Sequence, residues 1–139
     1  MSKNILICGV GGQGTVLAAK VLSQAAISSG QHVLSAETIG MAQRGGSVTS
    51  HVRIGDDIFS PLIPKGQADI IIAFEAAEAA RNISYLKKGG LVIVNKKLVQ
   101  PTTASLIGSS FNINTMIEYL EKTSGQLITV DTDQACQDL

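Results

Sequence analysis

The sequence predicts an α/β fold, a three-layer sandwich around a mixed, mostly parallel sheet, and three observations carry that reading. Apolar residues make up 45% of the 139 residues and aromatics only 4%, which suits tight layers of strand and helix better than a core centred on aromatic rings. A continuous apolar run, Ile5 to Val10, leads straight into glycines and then into a stretch of helical spacing; this is the order of a strand covered on both faces followed by a crossover helix. A strand of the other kind, with alternating side chains and with Gly55, Asp56 and Asp57 behind it, supplies an antiparallel part. At this length residues 1–139 form one domain, able to bury roughly two thirds of the surface that its unfolded chain exposes.

The elements follow in order. From Thr15 to about Ser29, Leu17, Ala18, Val21, Leu22, Ala25 and Ala26 recur on one helical face while Lys20 and Gln24 lie off it, and Gly30 stops the helix. His32 to Thr38 reads as a second strand, completing a right-handed strand–helix–strand unit. Between Val48 and Ile54 the side chains alternate, with Thr49, His51 and Arg53 on a face that is either solvated or turned to a partner. Gly55 to Asp57 then predict a hairpin into Ile58 and Phe59, held to an edge by Pro61 and Pro64. Asp69 to Phe74 is another buried strand. Glu75 to Leu86 is expected as a helix, with Lys87 and Lys88 at the negative end of its dipole and Gly89 and Gly90 as its stop. Glu75 and Glu78 are then explained by the positive end of that dipole. Leu91 to Val94 reads as a strand and Lys96 to Ser110 as a long connection. Asn112 caps a helix to about Thr123, Leu127 to Val130 returns as a strand, and Asp131 and Asp133 start one more helix. That helix is either vestigial or the sign that part of the natural domain is absent.

Composition narrows the function. Eleven basic and eleven acidic side chains leave no net charge, so the attraction that holds a polyanion is missing and nucleic acid is not an expected partner. Nowhere do about 18 apolar residues run together, and the opening MSKNILICGV is too short in its apolar run for a secretory signal. No membrane is expected, and a cytoplasmic setting is. Cys8 and Cys136 are the two cysteines, too few for a disulfide framework and without metal-ligand spacing. Cys8, inside a strand, reads as a small buried hydrophobe.

Two glycine-dense segments carry the chemistry. Gly9, Gly11 and Gly14 satisfy GxGxxG between a strand and a helix, where glycines let the backbone approach a ligand and the helix start offers N–H groups to an anion. Glu37, 23 residues after Gly14, stands where a dinucleotide-binding domain keeps its ribose acid. Beyond the second strand, Gln43 and Arg44 precede Gly45, Gly46 and Ser47, and a guanidinium there suits bidentate capture of a carboxylate or phosphate. The expected binding set is therefore Gly9, Gly11, Gly12, Gln13, Gly14, Glu37, Gln43, Arg44, Gly45, Gly46 and Ser47, with no catalytic residue and no metal ligand. In this reading the N–H groups of Gly11 to Gly14 and the Arg44 guanidinium face one anionic group. Gln43 and Ser47 add neutral donors, and Glu37 either orients Arg44 or reads a ribose. A stand-alone NAD(P)-binding oxidoreductase and a nucleotide-sensing module remain open on these motifs.

GVGGQGTVLAAKVL, AETIGMAQRGGSVTSHVRIG, SPLIPKGQADIIIAFEAAEA and YLKKGGLVIVN together resemble the gamma-type domain of the 2-oxoacid:ferredoxin oxidoreductases. Within that group they are most similar to the small (beta) subunit of the indolepyruvate enzymes. The resemblance runs from Ile5 to about Asn95, and weakly to Asp131. Related pyruvate and oxoglutarate enzymes are similar at GGQG and RGG but differ around Met41, Ala42 and Pro61. The resemblance implies a Rossmann-like fold and a noncatalytic role beside a large subunit holding thiamine diphosphate, Mg and 4Fe-4S clusters. It further implies coenzyme A as acyl acceptor, ferredoxin as electron acceptor, and aryl pyruvates such as indolepyruvate as substrates. The chain alone offers neither four cysteines for a cluster nor a GDG-to-Asn metal-diphosphate segment.

Overall fold

A computed structural model describes residues 1–37, 44–99 and 112–137. The expected end of the second strand at Thr38, Gln43, most of the 96–110 connection and the last two residues lie outside the described residues.

β1 (Lys3–Val10) is buried from Asn4 to Gly9, as its unbroken apolar run requires, and it stands inside the sheet. Among the described residues six strands form one sheet in the order β2-β3-β1-β4-β5-β6, comprising β2 (Val33–Glu37), β3 (Ser47–Ile54), β4 (Ala68–Ala73), β5 (Leu86–Asn95) and β6 (Gln126–Val130). β1, β4, β5 and β6 run parallel, while β3 is antiparallel to both β1 and β2. The sheet is therefore mixed and mostly parallel, with helices on both faces, as expected. The unit β1–α1–β2 is wider than the sequence suggests: β3 is inserted between its two strands.

α1 (Thr15–Ser28) covers one face, where Ala19 meets Ile5, Ile7 and Val52. It ends as Gly30 predicts. Gly30 has φ 77, and the N–H groups of Gly30 and Gln31 donate to Ile27 O and Ala26 O at 2.9 and 3.1 Å, a Schellman closure. Its buried stripe differs from the expected one. Thr15, Ala19 and Ala26 face the sheet, whereas Leu17 and Val21 are 66% and 62% exposed. Small side chains let the helix approach the strands, and the larger apolar ones are turned to its flank.

On the other face α2 (Ala76–Asn82) and α3 (Ile113–Thr123) pack over Leu6, Cys8, Ile71, Val92 and Val94. Asn112 caps α3, accepting from Asn114 N–H at 2.9 Å, and Leu120 is fully buried. α4 (Thr132–Gln137) follows β6, with Asp131 accepting from Gln134 N–H at 3.1 Å.

Three expectations are corrected. The helix from Glu75 does not reach Leu86: after Asn82 a 3-10 turn (Ile83–Tyr85) leads directly into β5. Ala68 pairs with Leu86 and Ile70 with Leu91, so Lys87, Lys88, Gly89 and Gly90 stand against Asp69 alone in a bulge instead of forming a helix stop. The bulge is fitted to its neighbours: a Cβ on Gly125 would lie 2.4 Å from the Gly89 backbone, and Lys87 pairs with Asp69. Burial opposes ionisation of Asp69, yet the hydrogen bonds from Lys87 and from Asn4 N–H outweigh it and hold the carboxyl below its usual range.

The hairpin return at Ile58 and Phe59 does not form, because both edges of β3 are already taken by β1 and β2. The segment folds instead over the face of β3 that reads as solvated or partner-facing. Arg53 donates from Nε to Asn4 Oδ1 and from Nη1 to Ser60 O, each at 2.9 Å. His51 is buried, its Nδ1 accepts from Ile63 N–H at 3.1 Å, and its ring meets Tyr85 edge-on at 5.7 Å.

Burial lowers the His51 pKa from its ordinary 6.5, and the bond from Ile63 requires Nδ1 unprotonated. The unfolded chain thus takes up this proton at a higher pH than the folded one. The contribution is complete above about pH 6.5 and declines as pH falls through the folded value. The midpoint of urea unfolding should be lower at about pH 5.5 than at about pH 7.5, and His51→Gln should reduce that difference.

Candidate functional site

The carboxyl end of β1 is where the two glycine segments meet. Gly9 faces Val48 and Val10 faces Ser47 in the β1–β3 ladder, and Gly11 N–H donates to Gly46 O at 2.8 Å one step further. The loop after Val10 is closed by its own residues. Gln13 N–H donates to Val10 O at 3.1 Å, and Val10 N–H donates to Gln13 Oε1 at 2.8 Å. Gly9 is required by space: a Cβ there would lie 2.7 Å from Gln13 Oε1 and 2.8 Å from Thr15 Cγ2. Gly12 and Gly14 take φ 97 and φ 87, the left-handed region open to glycine.

Gly14 is the N-cap of α1 and no side chain caps that end. The N–H groups of Thr15, Val16 and Leu17 have no intrahelical acceptor, and with the helix dipole they put about half a positive charge at this point. In front of them is a cavity of about 430 Å³ lined by Gly11, Gly12, Gly14, Thr15, Lys20 and Val48 among others. The arrangement suits one anionic group of a larger ligand.

The expected donor set is redistributed by this geometry. The amides of Gly11 and Gln13 are spent on the carbonyls of Gly46 and Val10, which removes those two from the expected donor set. Lys20, read from the sequence only as lying off the apolar face of the helix, lines the cavity. Arg44 is exposed in the turn before β3, and Gly45 beside it has φ 87. Glu37 ends β2 at this same edge, but β3 separates it from β1. It is thus one strand spacing, about 5 Å, further from the glycine loop than a ribose acid on an adjacent second strand. Gln43 lies outside the described residues.

Beneath the second segment is a buried polar cluster. Glu75 and Glu78 are 1% and 4% exposed, so the helix dipole alone does not account for them. Glu75 is the N-cap of α2: its Oε2 accepts from Glu78 N–H at 2.9 Å and its Oε1 from Val99 N–H at 3.3 Å. Glu78 accepts from Ser47 Oγ at 2.5 Å and lies 3.3 Å from Arg81 Nε. Ser47 thereby ties the arginine-bearing loop to α2, a structural role beside the binding role expected of it. Burial, and then the charges of Glu78 and Glu75, push the Cys8 thiol far up, which keeps it protonated and unreactive.

A second, smaller cavity of about 200 Å³ opens between Gln13, Phe74, Asn95, Lys97 and Thr132. It sits outside the carboxyl ends of β1, β4 and β5, at the switch point where α1 and α2 leave for opposite faces. Among the described residues no three His, Cys, Asp or Glu side chains group as a metal site, and no helix is long and apolar enough to cross a membrane.

The model of the pyruvate ferredoxin/flavodoxin oxidoreductase family matches residues 4–139. An indolepyruvate oxidoreductase subunit IorB of Pyrococcus horikoshii is 42% identical over 135 residues, covering 94% of this chain and 66% of the relative. A common gamma subunit of pyruvate/ketoisovalerate oxidoreductases of Thermococcus kodakarensis is 30% identical over 125 residues, covering 88% of this chain and 60% of the relative. The chain thus spans about two thirds of the length of these relatives. The crystal structure of a pyruvate oxidoreductase subunit PORC of Thermotoga maritima has the same fold, with a TM-score of 0.65, 23% identity, and coverage of 98% of this chain and 66% of that one.

Gly9→Ala tests the closure of the loop. The added methyl meets Gln13 and Thr15, and the variant should lose about 1–3 kcal/mol, read as a lower urea midpoint at unchanged slope.

Proposed function

Because the chain belongs to the pyruvate ferredoxin/flavodoxin oxidoreductase family, we propose that it serves as the small, noncatalytic subunit of a cytoplasmic 2-oxoacid:ferredoxin oxidoreductase acting on indolepyruvate and other aryl pyruvates. The aryl preference is supported by greater identity to the relative named for indolepyruvate, 42%, than to the one named for pyruvate and ketoisovalerate, 30%. In the complex the bond from the keto carbon to the carboxylate breaks, carbon dioxide leaves, electrons pass to ferredoxin, and the acyl group becomes a thioester of coenzyme A. Thiamine diphosphate with Mg supplies the electron sink for that cleavage, and iron–sulfur clusters supply the electron path.

This chain's residues do not fit the clusters. Its two cysteines are a buried Cys8 and an exposed Cys136, against the four thiolates that a cluster takes. The redox groups belong to a large partner subunit in this reading. The residues do fit an anion. The observation that carries the proposal is the uncapped first turn of α1, opening on a cavity where the two glycine segments are bonded together. Thr15, Val16 and Leu17 N–H and the Lys20 ammonium would hold a phosphate of coenzyme A or the oxoacid carboxylate. Arg44, two residues before the Gly46 that bonds Gly11, would close on it from the neighbouring loop. The chain's contribution is therefore to bind and orient one reactant at the junction with the catalytic subunit.

Lys20→Ala and Arg44→Ala in the reconstituted complex should each raise the KM for coenzyme A or for the oxoacid about tenfold, the loss of one charge-assisted hydrogen bond, with little change in kcat. A KM unchanged for both reactants in both variants rejects the site.

A further inference from the structure

Both main-chain groups of Glu78 are bonded to side chains of its own helix. Its N–H donates to Glu75 Oε2 and its carbonyl accepts from Asn82 Nδ2, each at 2.9 Å, and all three residues are buried. The carboxylate thus leaves α2 from a fixed point. It reaches the first residue of β3, where Oε2 accepts from Ser47 Oγ at 2.5 Å, while Oε1 lies 3.3 Å from Arg81 Nε.

Stability alone does not account for this arrangement. A carboxylate withdrawn from water has to be compensated by its partners, and the Arg81 side chain is 64% exposed, so solvent screens that pair. An apolar side chain in the same place would hold α2 to the sheet without that cost. What it could not do is fix the direction of a neighbouring hydroxyl. The bond to Ser47 is short, charge-assisted and directional, and it falls beside the cavity in front of α1. Alternation along β3 turns Ser47 to the α2 side and Val48 to the α1 side, where Val48 lines that cavity. One residue before Ser47, Gly46 O accepts from Gly11 N–H at 2.8 Å, and Gly45, at φ 87, turns the backbone away from Arg44.

We propose that Glu78 is a positioning residue of the anion site: by holding Ser47 it sets the turn that presents Arg44. The proposal rests on the reading of the cavity as the place where a phosphate of coenzyme A or the oxoacid carboxylate binds. Without the bond, the turn of Arg44, Gly45 and Gly46 keeps its backbone tie to Gly11 but loses its side-chain tie to a helix. With two glycines in three residues it then has many conformations to sample. An anion bound by Arg44 would first have to order them, which weakens its binding.

The test uses Ser47→Ala, Glu78→Leu and, as the conservative control, Ser47→Thr, each alone and with Arg44→Ala, in the complex reconstituted with the large subunit. Circular dichroism checks each fold. Ser47→Ala and Glu78→Leu should raise the KM about fivefold for the reactant whose KM rises in Arg44→Ala, with kcat within about twofold, and Ser47→Thr should keep the parent KM. On the Arg44→Ala background neither should add more than about 1.5-fold, because the residue through which they act is gone. A second readout needs no activity: trypsin should cut the free chain after Arg44 about fivefold faster in Ser47→Ala than in the parent or in Ser47→Thr, since cleavage follows the population of open turn. Where Glu78→Leu does not fold, Ser47→Ala breaks the same bond from the strand side. A KM for Ser47→Ala within about twofold of the parent, beside an Arg44→Ala that raises it, overturns the proposal and leaves the anion site standing. A raised KM with unchanged cleavage overturns it as well, the turn not having moved, and so do factors that multiply in the double variants. An Arg44→Ala without effect removes the site and this role together.

Discussion

The antiparallel pairing of β1 with β3, closed by the hydrogen bond from Gly11 N–H to Gly46 O, is the constraint on which the rest depends. It inserts a strand into what is otherwise a simple parallel crossover, so that the loop after β1 and the loop before β3 become neighbours in space. A glycine turn alone opens one helix start toward solvent. The added strand lays a second backbone against that turn, brings Ser47 over α2, and brings an arginine-bearing loop with it. The same insertion moves Glu37 one strand further out. A site that resembles a dinucleotide pocket in its motif is thereby changed in its geometry.

The polar cluster below the site belongs to the same arrangement. Glu75 and Glu78 are nearly without solvent, a position tolerable only because each has donors: the amides of Glu78 and Val99 for one, Ser47 and Arg81 for the other. Removing one partner would leave a buried carboxylate short of a donor, which costs more than the bond is worth when present. The loop bearing Arg44 is thus held by a requirement of the core and not by its own composition.

Much of this fold was legible in the chain. Unbroken apolar runs marked β1, β4 and the later half of β5, because strands covered on both faces admit little else. Gly30 and Asn112 marked a helix end and a helix start, because their conformational and hydrogen-bonding roles are local. What was not legible depended on partners distant in sequence. Gly89 and Gly90 read as a helix stop, and their real reason is a bulge fitted against Gly125. The strand at Ile58 failed because β3 had no free edge. Leu17 and Val21 satisfy helical periodicity, yet the close approach of α1 is made through Ala19 and Ala26; periodicity identifies an apolar side without saying which neighbour it meets. In the site, the glycine loop and its meeting with the second segment were readable, whereas the spending of the Gly11 and Gln13 amides was not, since acceptors are chosen by the folded backbone.

The central position of β1 also bears on how the chain reaches its folded state. Its two hydrogen-bonding neighbours are β3 and β4, which begin at Ser47 and Ala68. During synthesis β1 therefore waits for residues that are tens of positions later in the chain before either edge is satisfied. Until then Ile5, Leu6 and Ile7 form an unpaired sticky edge on the nascent chain. The segment that anchors the finished sheet is, during synthesis, the one in most need of a chaperone.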